Sequence, residues 1–220
     1  METVSCALRF CLLQWRKLET VNKFYRKVVL MSIDSMKERI LEATIKVFNQ
    51  KGLKFTMDDI AKELSMSKKT IYTVFQDKET LFFEMVDYCF DRIKMSEALI
   101  LENPNLSTVE KLGKVLGVLP EGYRNIDFTQ LYSLKEKYPS TYKRVEERLE
   151  TGWENIMDLI DQGIVEGTVR PVNTIILKTM MEATLEQFFQ RDILVSNGIS
   201  YNDALDEVVR ILVEGIQGKN

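Results

Sequence analysis

The apolar residues of this chain recur mainly at helical spacing. From residue 36 onward, Ile40, Ala43 and Val47 fall on one face of a helix, and most of the charged side chains fall off it. Apolar positions that return every three to four residues predict an amphipathic helix. Gly52 ends this first helix, since glycine is well suited to the position just after a helix end.

Two short helices are predicted next, joined by a tight turn. Thr56 starts the first of them, and Asp59 three residues later makes a variant of the capping box. Ser67 caps the second, in which Ile71 and Phe75 turn inward. Helices of about 15, 8 and 8 residues, with a short turn between the last two, are typical of a helix-turn-helix.

The rest of the chain is predicted to be helical as well. Asp77 caps a longer helix that runs to about Leu101, and residues 140–167 are expected to form one long helix. Two more long helices are expected over 173–194 and 201–216. The 10 glycines and 4 prolines leave few obligatory breaks. The sequence therefore predicts an all-α protein, in which an N-terminal three-helix helix-turn-helix domain precedes a larger C-terminal helical domain.

The composition excludes several kinds of chemistry. The chain has no histidine, which removes every His-based triad and every His-ligated metal site. Its three cysteines, Cys6, Cys11 and Cys89, form no C-x-x-C pair, so we expect neither a metal nor a cofactor. A phosphate-binding glycine loop and a G-x-S-x-G elbow are both missing from the sequence, which disfavours an enzyme.

The sequence also bears on where the protein works. Sparse, unpaired cysteines suggest a reducing compartment. No run of 18 apolar residues is present, and Glu2 and Arg9 do not suit a signal peptide. We therefore expect a cytoplasmic protein that makes no use of a membrane.

One face of the second short helix has the chemistry of a nucleic-acid contact. The net charge of −3 is uneven, because the acidic excess lies after residue 95 and the first 94 residues are slightly basic. The outer face of the helix carries two cations, two hydroxyls, one phenol and no acid, groups that donate to phosphate and reach base edges. We predict DNA contacts from this face and from the caps beside it: Thr56, Ser67, Lys68, Lys69, Thr70, Tyr72, Thr73 and Lys78.

Four groups of residues between Arg39 and Ile93 match a known pattern, namely Ile40-Leu41-x-Ala43…Phe48…Gly52, Thr56-x-x-x-Ile60-Ala61, Ser67-Lys68-x-Thr70-Ile71-Tyr72-x-x-Phe75 and Lys78-Glu79-x-Leu81. This run resembles the DNA-binding region of the tetracycline-repressor-like (TetR/AcrR) family of bacterial transcriptional regulators. One departure is Lys69, where many members of the family have glycine. The resemblance covers about a quarter of the chain.

The resemblance implies a ligand-responsive repressor. Members bind a pseudo-palindromic double-stranded DNA operator as homodimers, and a small effector in the C-terminal domain releases the DNA. On this basis we expect an N-terminal extension over 1–35, a DNA-binding domain over 36–80, and a ligand-binding and dimerisation domain over 81–220. The helix from 77 to 101 would connect the two domains.

Two further sets of residues are candidates in the C-terminal domain. Aromatic and methionine side chains suit a small apolar or aromatic effector, and the candidate pocket residues are Met85, Tyr88, Cys89, Phe128, Leu131, Tyr132, Trp153, Met157, Met181 and Phe188. The last two long helices are the expected dimer surface, with candidates Ile176, Met180, Thr184, Gln187, Leu205, Val208, Val209 and Leu212.

Two alternatives remain open at this point. A protein partner could control the regulator in place of a small ligand, because the C-terminal region is acidic. The helix-turn-helix could instead serve only packing or protein contact.

Overall fold

A computed structural model describes residues 35–120, 123 and 134–218 of the chain. Over these residues the protein is built from helices, with one isolated antiparallel bridge between Val169 and Gln217. The expected all-α fold is therefore confirmed. The extension predicted for 1–35 falls almost entirely outside the described residues.

The helices are numbered in chain order. The first helix, α1, covers 35–51 and is followed by a 3-10 turn at Gly52–Lys54. The others are α2 (Met57–Glu63), α3 (Lys68–Tyr72), α4 (Lys78–Leu101), α5 (Thr108–Leu116), α6 (Leu134–Lys137), α7 (Pro139–Glu150), α8 (Glu154–Glu166), α9 (Thr174–Gln190), α10 (Ile193–Ser196) and α11 (Tyr201–Ile216).

The predicted caps form as side-chain to backbone hydrogen bonds. Thr56 accepts from the backbone N–H of Asp59, and the Asp59 carboxylate accepts from the Thr56 backbone N–H in return. Ser67 and Asp77 accept from the backbone N–H groups three residues on, at 3.1 Å and 2.7 Å. These bonds satisfy donors that every helix start leaves unpaired, so they fix where α2, α3 and α4 begin.

The helix predicted over 140–167 is two helices, so that prediction is wrong. Gly152 has a φ of +78° and separates α7 from α8. A side chain at this position would also collide with Lys94 of α4, since a β-carbon would lie 2.8 Å from its Cε. Only glycine fits both constraints easily, and the regular spacing of apolar residues across the break concealed it.

One continuous apolar core joins the helix-turn-helix to the larger domain. The buried cluster runs from Ile40 on α1 to Ile216 on α11. At the junction, the ring of Phe82 on α4 lies 5.5 Å from Phe48 and 5.2 Å from Tyr138, measured between ring centroids. Because the Phe82 ring on α4 contacts residues of both units, the two units share one packed core.

No helix within the described ranges is both long enough and apolar enough to cross a bilayer.

Candidate nucleic-acid interface and effector cavity

The helix α3 presents a polar face to solvent, as predicted. Ile71 is fully buried and Phe75 is 1% exposed, so they anchor the helix in the core, where α3 packs against α2. Lys68, Lys69 and Thr73 are exposed, and the Tyr72 side chain, at 43%, is one of the more exposed large side chains of the domain. An aromatic phenol left in water beside two lysines is available to a base or a phosphate.

Lys68 on this face forms only a weak ion pair within the protein. The Lys68 ammonium lies 3.1 Å from the Asp58 carboxylate, and both side chains are about half exposed. Such surface pairs contribute roughly 0–1 kcal/mol. A DNA phosphate would therefore replace Asp58 as the partner of Lys68 at little cost.

The hydroxyls of the site are engaged in local bonds. The Thr73 hydroxyl donates to the Thr70 carbonyl at 2.6 Å, and the Ser67 and Thr70 hydroxyl oxygens are 2.8 Å apart. The Thr56 hydroxyl donates to Asp59 at 2.8 Å, and hydrogen bonds from Lys51 and Thr56 lower the pKa of Asp59 to about 2. The main role of these hydroxyls is to form hydrogen bonds within α2 and α3 and at their starts. A contact with DNA would use their remaining lone pairs or a rotated hydroxyl.

Lys78 differs from the expectation of a phosphate contact. Its ammonium donates to the Leu53 carbonyl at 2.9 Å and lies 4.1 Å from the Phe55 ring centroid and 5.3 Å from that of Tyr138. The side chain is half-buried at the junction of the two domains. Sequence position placed Lys78 near DNA, but Tyr138, 60 residues away in the chain, helps to hold it inward.

We expect Lys78→Met to act on stability rather than on DNA binding. Losing the carbonyl bond and the ring contacts should lower the free energy of unfolding by about 1 kcal/mol. The slope of log affinity against log salt should not change. The matched variant Lys69→Met should reduce that slope by about 1 for each subunit that contacts the DNA, without loss of stability. Urea unfolding measures the stability, and DNA binding at a series of salt concentrations measures the slope. A reduced slope for Lys78→Met would show that Lys78 contacts a phosphate after all.

A cavity of about 170 Å³ lies between α1, α4, α5, α7, α8, α9 and α11. Four predicted pocket residues line it: Met85, Cys89, Trp153 and Met181. Burial raises the pKa of the Cys89 thiol to about 12, although a hydrogen bond with Tyr123 opposes the shift. The thiol is therefore protonated at neutral pH and behaves as part of an apolar wall.

Other predicted pocket residues lie elsewhere. Tyr88 donates to Glu42 of α1 at 3.1 Å, in a surface groove, and Met157 lines a separate narrow crevice. Phe188 packs edge-on against Tyr201, whereas its neighbour Phe189 lines the cavity. These three assignments are corrected, because helical spacing alone does not tell which turn of a buried helix faces a gap. Phe128, Leu131 and Tyr132 lie outside the described residues.

Comparison with known sequences identifies the family. The family model for bacterial regulatory proteins of the tetR family matches residues 40–85. YhgD of Bacillus subtilis, an uncharacterised helix-turn-helix transcriptional regulator, is 32% identical over 146 residues, which are 64% of this chain and 75% of YhgD. This chain belongs to the TetR family. It is a DNA-binding transcriptional regulator, and its relatives are regulators rather than enzymes.

Further similarities agree with this membership. YvaF of B. subtilis, another uncharacterised regulator of the helix-turn-helix type, is 26% identical over 82% of this chain and 95% of its own length. IcaR of Staphylococcus aureus, a negative regulator of the biofilm operon icaADBC, is 28% identical over 49% of this chain and 52% of its own. A TetR-family structure from Cytophaga hutchinsonii shares the fold, with a TM-score of 0.64 at 22% identity over 86% of this chain and 98% of that one.

The expected dimer surface of this TetR-family chain needs partial correction. Leu205 and Val209 are buried inside the protomer, with exposures of 3% and 6%, so they belong to its own core. Leu212, at 8%, lies at the floor of the groove described next. Ile176 and Met180 are 58% and 52% exposed. Together with Ile211 of α11, which sequence reasoning missed, they line a shallow groove between α9 and α11. The remaining candidates, Thr184, Gln187 and Val208, are half-buried.

Sequence reasoning also missed the polar part of the cavity wall. Lys94 and Glu97 line the cavity, and their side chains pair at 2.8 Å across one turn of α4. Arg148 of α7 lines it too. The spacing of Lys94 and Glu97, three residues apart on a helix, is a signal that could have been used. From α1, Ile45 and Phe48 reach the same cavity.

Proposed function

We propose that this protein is a ligand-responsive repressor that binds a pseudo-palindromic operator as a homodimer and is released by a small molecule. The observation that carries the proposal is the exposed face of α3, which has two lysines and a phenol and no acid. Residues 36–80 then form the DNA-binding domain, and residues 81–220 form the domain for effector and partner subunit. Membership of the TetR family supports each part of this arrangement.

In the proposed complex, α3 enters the major groove. Lys68 and Lys69 contact phosphates at its start, and the positive end of the helix dipole favours the same anions. Tyr72 and Thr73 reach base edges or flanking phosphates, with Thr70, Ser67 and Thr56 as hydroxyl donors beside them. Two copies must enter successive grooves, roughly 34–36 Å apart, which requires a dimer.

The groove between α9 and α11 is the proposed subunit contact. Ile176, Met180 and Ile211 together leave a continuous apolar surface in water, and such patches mark protein contacts more often than chance. Thr184 and Gln187 continue the same side of α9. A two-fold contact between two such faces would set the distance between the two α3 helices.

The cavity is the proposed effector site. It is walled by Phe82 and Met85 of α4 and by Ile45 and Phe48 of α1, so a bound molecule would touch the DNA-binding domain directly. A ligand shifts the equilibrium only by its difference in affinity for the two arrangements. An effector that fits best when α1 has moved would therefore lower the affinity for DNA. Repression as the direction follows the relative IcaR, a negative regulator.

Selection of bound duplexes from a random DNA pool tests the proposal. We expect a palindromic consensus, with log affinity falling steeply as log salt rises. A consensus without two-fold symmetry would contradict the dimer. Failure to enrich any sequence would contradict operator binding itself.

Substitution of Tyr72 should weaken binding to the selected operator. Tyr72→Ala is expected to lose about 1–3 kcal/mol of binding free energy, because the ring and hydroxyl both leave the interface. Tyr72→Phe should lose less, since the ring remains. The exposed position of Tyr72 means that neither variant should change the urea midpoint. Equal affinity for Tyr72→Ala and the parent protein in a mobility-shift titration would remove this residue from the interface.

A further inference from the structure

Among the described residues that line the effector cavity, Lys94 and Glu97 form an ion pair in a mainly apolar wall. The Glu97 side chain is 8% exposed, and burial raises its pKa. The Lys94 ammonium donates to both Glu97 oxygens, at 3.0 Å and 2.8 Å, and to the Gly152 carbonyl at 2.7 Å. A buried carboxylate needs such a partner, because its charged form is costly away from water.

Among the described residues of this part of the wall, the Lys94 and Trp153 nitrogens already donate to protein acceptors. An ammonium has three donors, and Lys94 gives two to Glu97 and one to Gly152. The Trp153 indole donates to the Leu149 carbonyl at 2.8 Å. The Arg148 guanidinium keeps further N–H donors, but its charge is compensated by two carboxylates, Asp91 at 2.6 Å and Asp87 at 3.5 Å.

Acceptor capacity, in contrast, remains on Glu97. A carboxylate has about four lone-pair sites, and Lys94 takes two of them. The Lys94 side chain is 36% exposed, so an ammonium displaced from Glu97 would reach solvent. An incoming cation would therefore find an acceptor, whereas an incoming anion would meet a buried carboxylate and lysine and arginine side chains that are already paired.

We infer that the effector is an apolar molecule carrying a protonated amine, which takes the place of the Lys94 ammonium on Glu97. The inference rests on the proposed use of the cavity as the effector site, and it narrows the class of ligand. The apolar walls take the body of the molecule, and Glu97 selects its charged end. Lys94 neutralises Glu97 until the effector arrives.

A set of eight-carbon probes tests the ligand class without DNA. Binding of n-octylammonium, octyltrimethylammonium, octanol and octanoate is followed by Trp153 fluorescence in the full-length protein carrying Trp15→Phe. We expect n-octylammonium to bind at least about tenfold tighter than octanol, because hydrogen bonds to a charged group are the strong ones. Octyltrimethylammonium, which has the charge but no N–H donor, should fall between them, and octanoate should bind weakest.

Variants of the ion pair tie the preference to Glu97. Glu97→Gln should remove the preference for n-octylammonium over octanol, and Glu38→Gln, an exposed carboxylate on α1, should keep it. Lys94→Met should tighten binding of n-octylammonium, since its competitor is gone. Lys94→Met also keeps the inference testable if Glu97→Gln does not fold, as judged by circular dichroism.

Several outcomes would overturn this inference. They are equal or tighter binding of octanol or octanoate, binding of no probe at all, a preference that survives Glu97→Gln, or weaker amine binding in Lys94→Met. Operator binding is measured separately on the same preparation. Amine binding without release of the operator would contradict the proposed function but not the ligand class. Operator binding without a preference for the amine would contradict the ligand class but not the proposed function.

Discussion

Met180→Glu is expected to convert the proposed dimer into a monomer. The Met180 side chain is 52% exposed on α9, within the apolar groove that it forms with Ile176 and Ile211. Two-fold contact would bring two copies of this face together and bury two carboxylates without partners, which is strongly unfavourable. Because the side chain faces water in the protomer, the substitution should leave the fold of the protomer intact.

The loss of the dimer should carry a large loss of operator affinity. A dimer binds its second half-site as an intramolecular event, which raises affinity by roughly 10²–10⁴-fold, so we expect at least a hundredfold weakening. Light scattering coupled to gel filtration gives the mass, and mobility shift gives the affinity. Met95→Glu is the matched control, since Met95 is 60% exposed on α4, outside the groove. Dimers that persist in Met180→Glu would place the subunit contact elsewhere.

Phe82→Ala is expected to produce the largest loss of stability. The side chain is 1% exposed, and its ring centroid lies 5.5 Å from Phe48, 5.7 Å from Phe55 and 5.2 Å from Tyr138. Truncating a buried phenylalanine to alanine costs about 3–5 kcal/mol. Since the ring touches residues of both domains, far-UV circular dichroism and Trp153 fluorescence, both recorded with Trp15→Phe in place, should shift to the same lower urea midpoint.

The neighbouring residue provides the control for this substitution. Phe83 is half-buried, and the Arg144 guanidinium lies 5.8 Å from its ring centroid. Phe83→Ala should cost only about 1 kcal/mol, in the range of a partly exposed cation–π contact. Protein concentration must be held constant, because a dimer unfolds at a concentration-dependent midpoint. Two separate transitions in Phe82→Ala would contradict the coupling of the domains through this ring.

The features that sequence analysis predicted well are those fixed by local interactions. The caps at Thr56, Ser67 and Asp77 depend on bonds to backbone groups three residues away. The orientation of α3 follows from Ile71 and Phe75, which lie on one side of a single short helix. These features depend on residues that are close together in the sequence, so the sequence alone is enough to predict them.

The features that it predicted poorly depend on distant parts of the chain. An apolar stripe such as Leu205, Val209 and Leu212 can face its own protomer or a second one, and periodicity does not distinguish the two. Lys78 is turned inward partly by Tyr138, and Lys94 is seated by Gly152 across 58 residues. These contacts arise only when helices remote in sequence pack together.

The reach of Ile45 and Phe48 into the cavity has a consequence for protein engineering. Suppose the DNA-binding domains of related regulators were exchanged at residue 80. The foreign α1 would then line a cavity whose other residues belong to the recipient protein. Such chimaeras should keep their operator preference but lose response to the original inducer. A working exchange would need the α1 residues that line the cavity to stay with the recipient, so that the graft begins after the first helix.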